Sequence, residues 1–167
     1  MELTDLQSIE KWQELVAQIE AMSPLRASVY NINGIRIADG DVAANRLCPE
    51  IKATDKGQAF ICAVAHMNMA IIARNTHKPV AEECDAGMIK IVVPVIVQNK
   101  FIGAVGGCGL LPKHGEVDVF MVSKSTDIAE EKIEALSHGI GTINPDQIEK
   151  MTTFIQAKVE DIVFSYS

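Results

Sequence analysis

The apolar positions of this chain change their spacing several times, and each change marks an element. Leu6, Ile9, Trp12, Leu15, Val16 and Ile19 recur every three or four residues and form one stripe along a helix. Thr4 stands where an N-cap belongs and Ser23-Pro24 ends the run, which predicts a helix over about 4–22. Ala27 to Tyr30 then reads as a strand. Asn33-Gly34, two residues that tolerate positive φ, predicts a hairpin that returns through Ile35-Arg36-Ile37. A loop with a short helical piece carries Leu47-Cys48-Pro49, and Gly57 to Asn75 predicts a long helix, apolar on most sides and therefore largely buried.

Beyond Lys78-Pro79-Val80 the pattern becomes β-rich. Cys84-Asp85-Ala86-Gly87 reads as a compact loop, Ile89 to Val97 as a strand, Gln98-Asn99-Lys100 as a turn and Phe101 to Val105 as a further strand. Gly106-Gly107-Cys108-Gly109 predicts an interruption or bend of that strand. Pro112 to Val117 reads as a loop, and Ile128 to Leu136 as a short helix behind Ser125 and Thr126, with Gly139 at its C′ position. Asn144-Pro145-Asp146-Gln147 joins a capping box to a proline at the first helical position and opens a last helix, to about Phe164. Strands joined by tight turns imply an antiparallel sheet with helices packed on it, an α+β fold. The two terminal helices either cover that sheet or pair with a second copy as a homodimer surface.

Composition narrows the function classes. A chain of 167 residues fits one domain, and a net charge of −7 argues against a nucleic-acid surface. Met1-Glu2-Leu3-Thr4-Asp5 lacks the basic and apolar regions of a secretory signal. The longest apolar stretch, Ile91 to Val97, contains Pro94 and is too short to span a membrane. A cytoplasmic location is the expectation, with thiols kept reduced. Four cysteines there point to metal binding, redox chemistry or plain burial before they point to disulfides. No phosphate-binding glycine loop followed by Lys-Ser/Thr and no Gly-x-Ser-x-Gly elbow occurs, so no enzymatic activity is expected.

The order of motifs from Val29 to Leu110 resembles the PocR sensory domain family, which is related in fold to the PAS and GAF sensors. The resemblance rests on the Asn33-Gly34 hairpin, Leu47-Cys48-Pro49-Glu50-Ile51, Gly57 and Cys62 at the start of the long helix, and Lys78-Pro79-Val80. It continues through Glu83-Cys84-Asp85-Ala86-Gly87-Met88, Val93-Pro94-Val95, and Phe101-Ile102-Gly103 leading into Gly106-Gly107. It implies one sensory domain over 1–167, with a core at about 26–122 and terminal helices at about 4–22 and 145–164. It also implies a small-molecule ligand such as a short diol, and a transcription factor or histidine kinase as the usual output partner. Cys48, Cys62 and Cys84 fall on cysteines that recur in the family. Cys108 departs from it, since the family more often has glycine there, followed by glutamine. The expectation is a stand-alone domain without an attached output domain, signalling to a partner in trans.

Four thiolates meeting from four elements would suit an iron–sulfur cluster or, alternatively, zinc. The expected metal ligands are Cys48, Cys62, Cys84 and Cys108, with an iron–sulfur centre preferred because of the extra Cys108. His66 lies four residues after Cys62 on the same helix face and reads as a core residue or a substitute ligand. Asp85 would bond a ligand hydroxyl or cap a turn. Gly87 and Gly107 complete the ligand-binding candidates, as positions where chain and ligand approach closely. Met67, Met69 and Met88 read as core filler or as the lining of an apolar pocket. Two other readings stand beside the metal centre: a metal-free sensor of a small organic molecule, and a thiol-based redox protein with reactive cysteines.

Overall fold

In the computed structural model, which describes residues 1–167, the first helical run is two helices, α1 (Leu3–Leu6) and α2 (Ile9–Met22). The expected single helix over 4–22 breaks because Gln7 is extended and Ser8 starts the chain again, its hydroxyl accepting from the Lys11 amide. The break lets Leu3 fold back, and the Trp12 indole N–H donates to the Leu3 carbonyl at 3.0 Å. Strands β1 (Arg26–Asn31) and β2 (Arg36–Asp39) form the expected hairpin, with Gly34 at φ 75 in its turn.

Next come α3 (Leu47–Lys52), α4 (Asp55–Gly57), a π-helical turn over Gln58–Ala63, and α5 (Val64–Thr76). The expected long helix is therefore present but widened near its start, and it is not largely buried. Met69 and Ala73 pack against Val80, Val92 and Ala104, whereas Phe60, Val64, Met67, Ile71 and Ile72 face outward.

Strands β3 (Val80–Glu83), β4 (Ile89–Val97) and β5 (Lys100–Pro112) complete an antiparallel sheet in the order β2-β1-β5-β4-β3. The fold is α+β, as the turn pattern implies. Strand β5 runs unbroken through the glycines and pairs on both sides: Gly106 lies opposite Ser28 in β1 and opposite Val92 in β4. A Cβ at Gly106 would collide with the Ile91 carbonyl oxygen. Gly106 thus serves close packing of three strands, while Gly109, at φ 108 and skipped in the β4 register between Cys108 and Leu110, makes the expected interruption as a bulge.

Helix α6 (Val119–Thr126) occupies a stretch with no sequence expectation, and α7 (Glu130–Ser137) follows it. Ser125 and Thr126 close α6 instead of capping α7, whose N-cap is Ala129. Strand β6 (Thr142–Ile143) adds parallel to the end of β5, and α8 (Pro145–Tyr166) opens with the expected Asn144/Gln147 capping box.

The sheet separates two cores. On one face, α2 and α8 lay Trp12, Leu15, Val16, Ile19, Met151, Ile155 and Val159 against Val29, Ile91, Val93, Val95 and Val105. The apolar stripes of both terminal helices thus cover the sheet of their own chain. On the other face a smaller core gathers Leu47, Ile51, Ile61, Ala86, Met88, Val122 and Ile133. No helix is long and apolar enough to cross a membrane.

Candidate ligand-binding site

Alternation along β4 decides what the second face receives. Ile89, Ile91 and Val93 point to the α2–α8 core, so Met88 and Lys90 point the other way. The β4–β5 register puts Lys90 opposite Cys108, and the β1–β2 register puts Tyr30 opposite Arg36. Helix α3 brings Cys48, Ile51 and Lys52 over this surface, the π-helical turn brings Ile61 and Cys62, and the loop after β3 brings Cys84 and Ala86. Together they form a narrow cleft, partly open to solvent. All four cysteines line it, an arrangement their spacing in the chain could not establish.

Asn45 holds one wall in place. Its carbonyl oxygen accepts from the Leu47 and Cys48 amides at 2.9 and 2.7 Å and so caps α3. Its amide nitrogen donates to the Gly109 carbonyl at 2.7 Å and also reaches the sulfurs of Cys48 and Met88. One side chain therefore ties α3 to the central strand.

The cleft lining is apolar and basic. Arg36, Lys52 and Lys90 are its charged members, and no carboxylate is among them. Lys90 is only 6% exposed. Its ammonium donates to the Tyr30 hydroxyl at 3.4 Å, and the Arg36 Nε donates to the same oxygen at 3.2 Å. Burial works against the Lys90 charge, yet the Tyr30 oxygen and the Cys108 thiol beside it hold its pKa above the ordinary lysine value. His66 stacks on Tyr30 with ring centroids 3.8 Å apart, and its Nδ1 is buried without a partner. Burial, with Lys90 and Arg36 adding to it, pushes the His66 pKa down to about 3, so the imidazole is neutral.

Burial pushes the Cys48 thiol up to about 12, with the neighbouring Cys108 adding to the effect. Burial also raises Cys62 and Cys84. All four cysteines are free and half-buried. Three of the four are thus held as thiols at neutral pH, the opposite of the lowered pKa that reactive redox cysteines need. No group of three or more His, Cys, Asp or Glu side chains is arranged to hold a metal ion. The thiols share a cleft, but no three of them are gathered closely enough to form such a group.

The remaining candidates divide. His66 lines an adjoining groove with Tyr30, Gly34, Arg36 and Cys62, not the thiol cleft itself. Asp85 is exposed and outside the lining. Gly87, at φ 95, lies so close to the Glu116 carbonyl that a Cβ would meet it, which makes it a packing position of the loop. Gly107 faces Leu25 in the opposite core. Met88 lines the cleft, Met69 belongs to a separate cluster, and Met67 is exposed. The sequence reading missed Tyr30, Arg36, Asn45, Lys52 and Lys90. Lys90 had a detectable signal, since it is the one charged residue in the run Ile89–Val97.

A family model described as the sensory domain found in PocR matches residues 5–166. No curated protein and no solved structure matches the chain.

Proposed function

This chain belongs to the PocR sensory domain family, and from that premise we propose that its sensory role is exercised by a small organic molecule bound in the cleft beneath the π-helical turn. The cleft itself carries the reading. It is concave, mostly apolar and lined from several separate elements, with a few polar groups converging on it, which is the usual make-up of a small-molecule site. A π-helical turn in its roof adds support, because such turns occur frequently at functional sites. No chemical step is assigned to the site, and the role is binding.

Thermal-shift and calorimetric titration of the full chain with short alcohols, diols, amides and acids tests this. Ala65, on α5, also lines the cleft, and a ligand that stabilises the protein but loses that effect in an Ala65→Trp variant supports the reading. Stabilisation that is indifferent to Ala65→Trp places the ligand elsewhere and sinks it. A cysteine-bound metal is the second reading, favoured only by the sharing of one cleft by four thiols. Anaerobically purified protein that carries stoichiometric iron with acid-labile sulfide, or stoichiometric zinc, would put that reading first.

A further inference from the structure

The polar groups at this cleft are of one kind. Lys90 carries three N–H donors and uses one, on Tyr30. Arg36 uses only its Nε, also on Tyr30, so both terminal nitrogens of its guanidinium are free of protein partners. The Tyr30 oxygen accepts from both cations, and its own proton has no acceptor in the chain. Lys52 lines the same space, and none of Arg36, Lys52 and Lys90 takes part in any ion pair of the protein. Asp39 acts on Arg36 through space, but its oxygens are taken by Arg26 and Ser28. A chain of net charge −7 has thus gathered three cations around one half-closed cleft and left the acids out. The cleft therefore presents three cations without ion-pair partners to an anion, and no carboxylate in its lining to repel one.

Resting on the cleft being the ligand site, we propose that the ligand is a small organic acid. Its carboxylate lies against Lys90 and Arg36 where both meet the Tyr30 hydroxyl, at the border with the adjoining groove, and its short apolar body rests against Ile51, Ile61 and Met88. The planar fork of Arg36 suits a carboxylate edge, and Tyr30 donates its free proton to the second oxygen or to an α-substituent. The apolar remainder of the lining excludes a bare inorganic anion as the preferred occupant. The cleft is narrow, which limits the body to a few carbons.

The test is calorimetry on the full chain at neutral pH with acetate, propionate, butyrate and valerate. Each is compared with its primary amide and alcohol, with propanediol and with inorganic phosphate. The expected result is an acid that binds while its neutral isosteres bind roughly 10–100-fold more weakly, the range that one charge-assisted contact supports. Lys90→Met and Arg36→Met each weaken the acid by a similar factor. Tyr30→Phe weakens it less, and supplies a variant that retains both cations. Circular dichroism checks that each variant is folded. Neutral compounds that bind as tightly as the acid, or acid binding unchanged in Lys90→Met, overturn the proposal. If those neutral compounds are also blocked by Ala65→Trp, the cleft reading survives and only the anionic ligand falls. Phosphate that binds as tightly as the acids overturns the organic class. A panel in which no acid binds overturns the proposal outright, and one in which no organic compound binds removes the cleft reading with it.

Discussion

His66 shows how much one residue's surroundings decide. Its ring is sandwiched by position, with Tyr30 stacked on it and the Gly34 turn beside it, and two fixed cations disfavour its charge. The folded protein holds the imidazole neutral down to about pH 3, while the unfolded chain protonates it near the ordinary histidine value, about 6.5. Below that value the unfolded state binds more protons, so stability is fully present above about pH 6.5 and is lost as the pH falls toward 3. Urea unfolding between pH 4 and 6 should therefore show stability declining with acid by at most about 1.4 kcal/mol per pH unit from this residue. His66→Phe, which keeps a ring on Tyr30, should flatten the decline. An identical slope in the variant would mean that His66 titrates normally. The cysteines were legible as a set because four thiols in a reduced chain attract notice by residue type alone. Tyr30, Arg36 and Asn45 were not, because nothing in a tyrosine, an arginine or an asparagine says that its partners lie across a sheet.

The elements divide between those specified by local chemistry and those specified by their neighbours. Helix α8 was readable to its first residue, because the Asn144/Gln147 box satisfies its end groups locally, with Asn144 accepting from the Gln147 amide at 2.8 Å. The β1–β2 hairpin was readable for the same reason. Strand β5 was not, since its glycines carry no strand preference and are required by what passes on either side. Gly106→Ala tests that account. The added methyl meets a backbone carbonyl that cannot rotate away, so the strands must part. The expected loss is about 3 kcal/mol or more, read as a fall in the unfolding midpoint. A variant within about 0.5 kcal/mol of the parent would show that the sheet yields there. The widened turn over Gln58–Ala63 had no sequence signal, because its residues suit an ordinary α-helix equally well. The outward stripe Phe60, Val64, Met67 and Ile71 misled for the converse reason: apolarity all round a helix implies burial, but only the side carrying Met69 and Ala73 meets the sheet.

At the scale of the whole molecule, the sheet is a partition. One face is closed by the two terminal helices over an apolar core with Trp12 at its centre. The other carries the cleft and the cations. Every second residue of β4 belongs to a different compartment, so Ile89 and Ile91 share with Lys90 the one backbone that separates them. The cationic compartment also changes what the empty protein is worth. Lys90→Met removes an ammonium that the fold holds above the ordinary lysine pKa, so it should lower the melting temperature of the ligand-free protein while it removes acid binding. A rise in that temperature would show that the cost of burying the charge exceeds what the Tyr30 contact returns. On the proposed reading, the strand that closes one core also carries the recognition charge of the other, so a change that loosens β4 should be felt in folding and in ligand capture together.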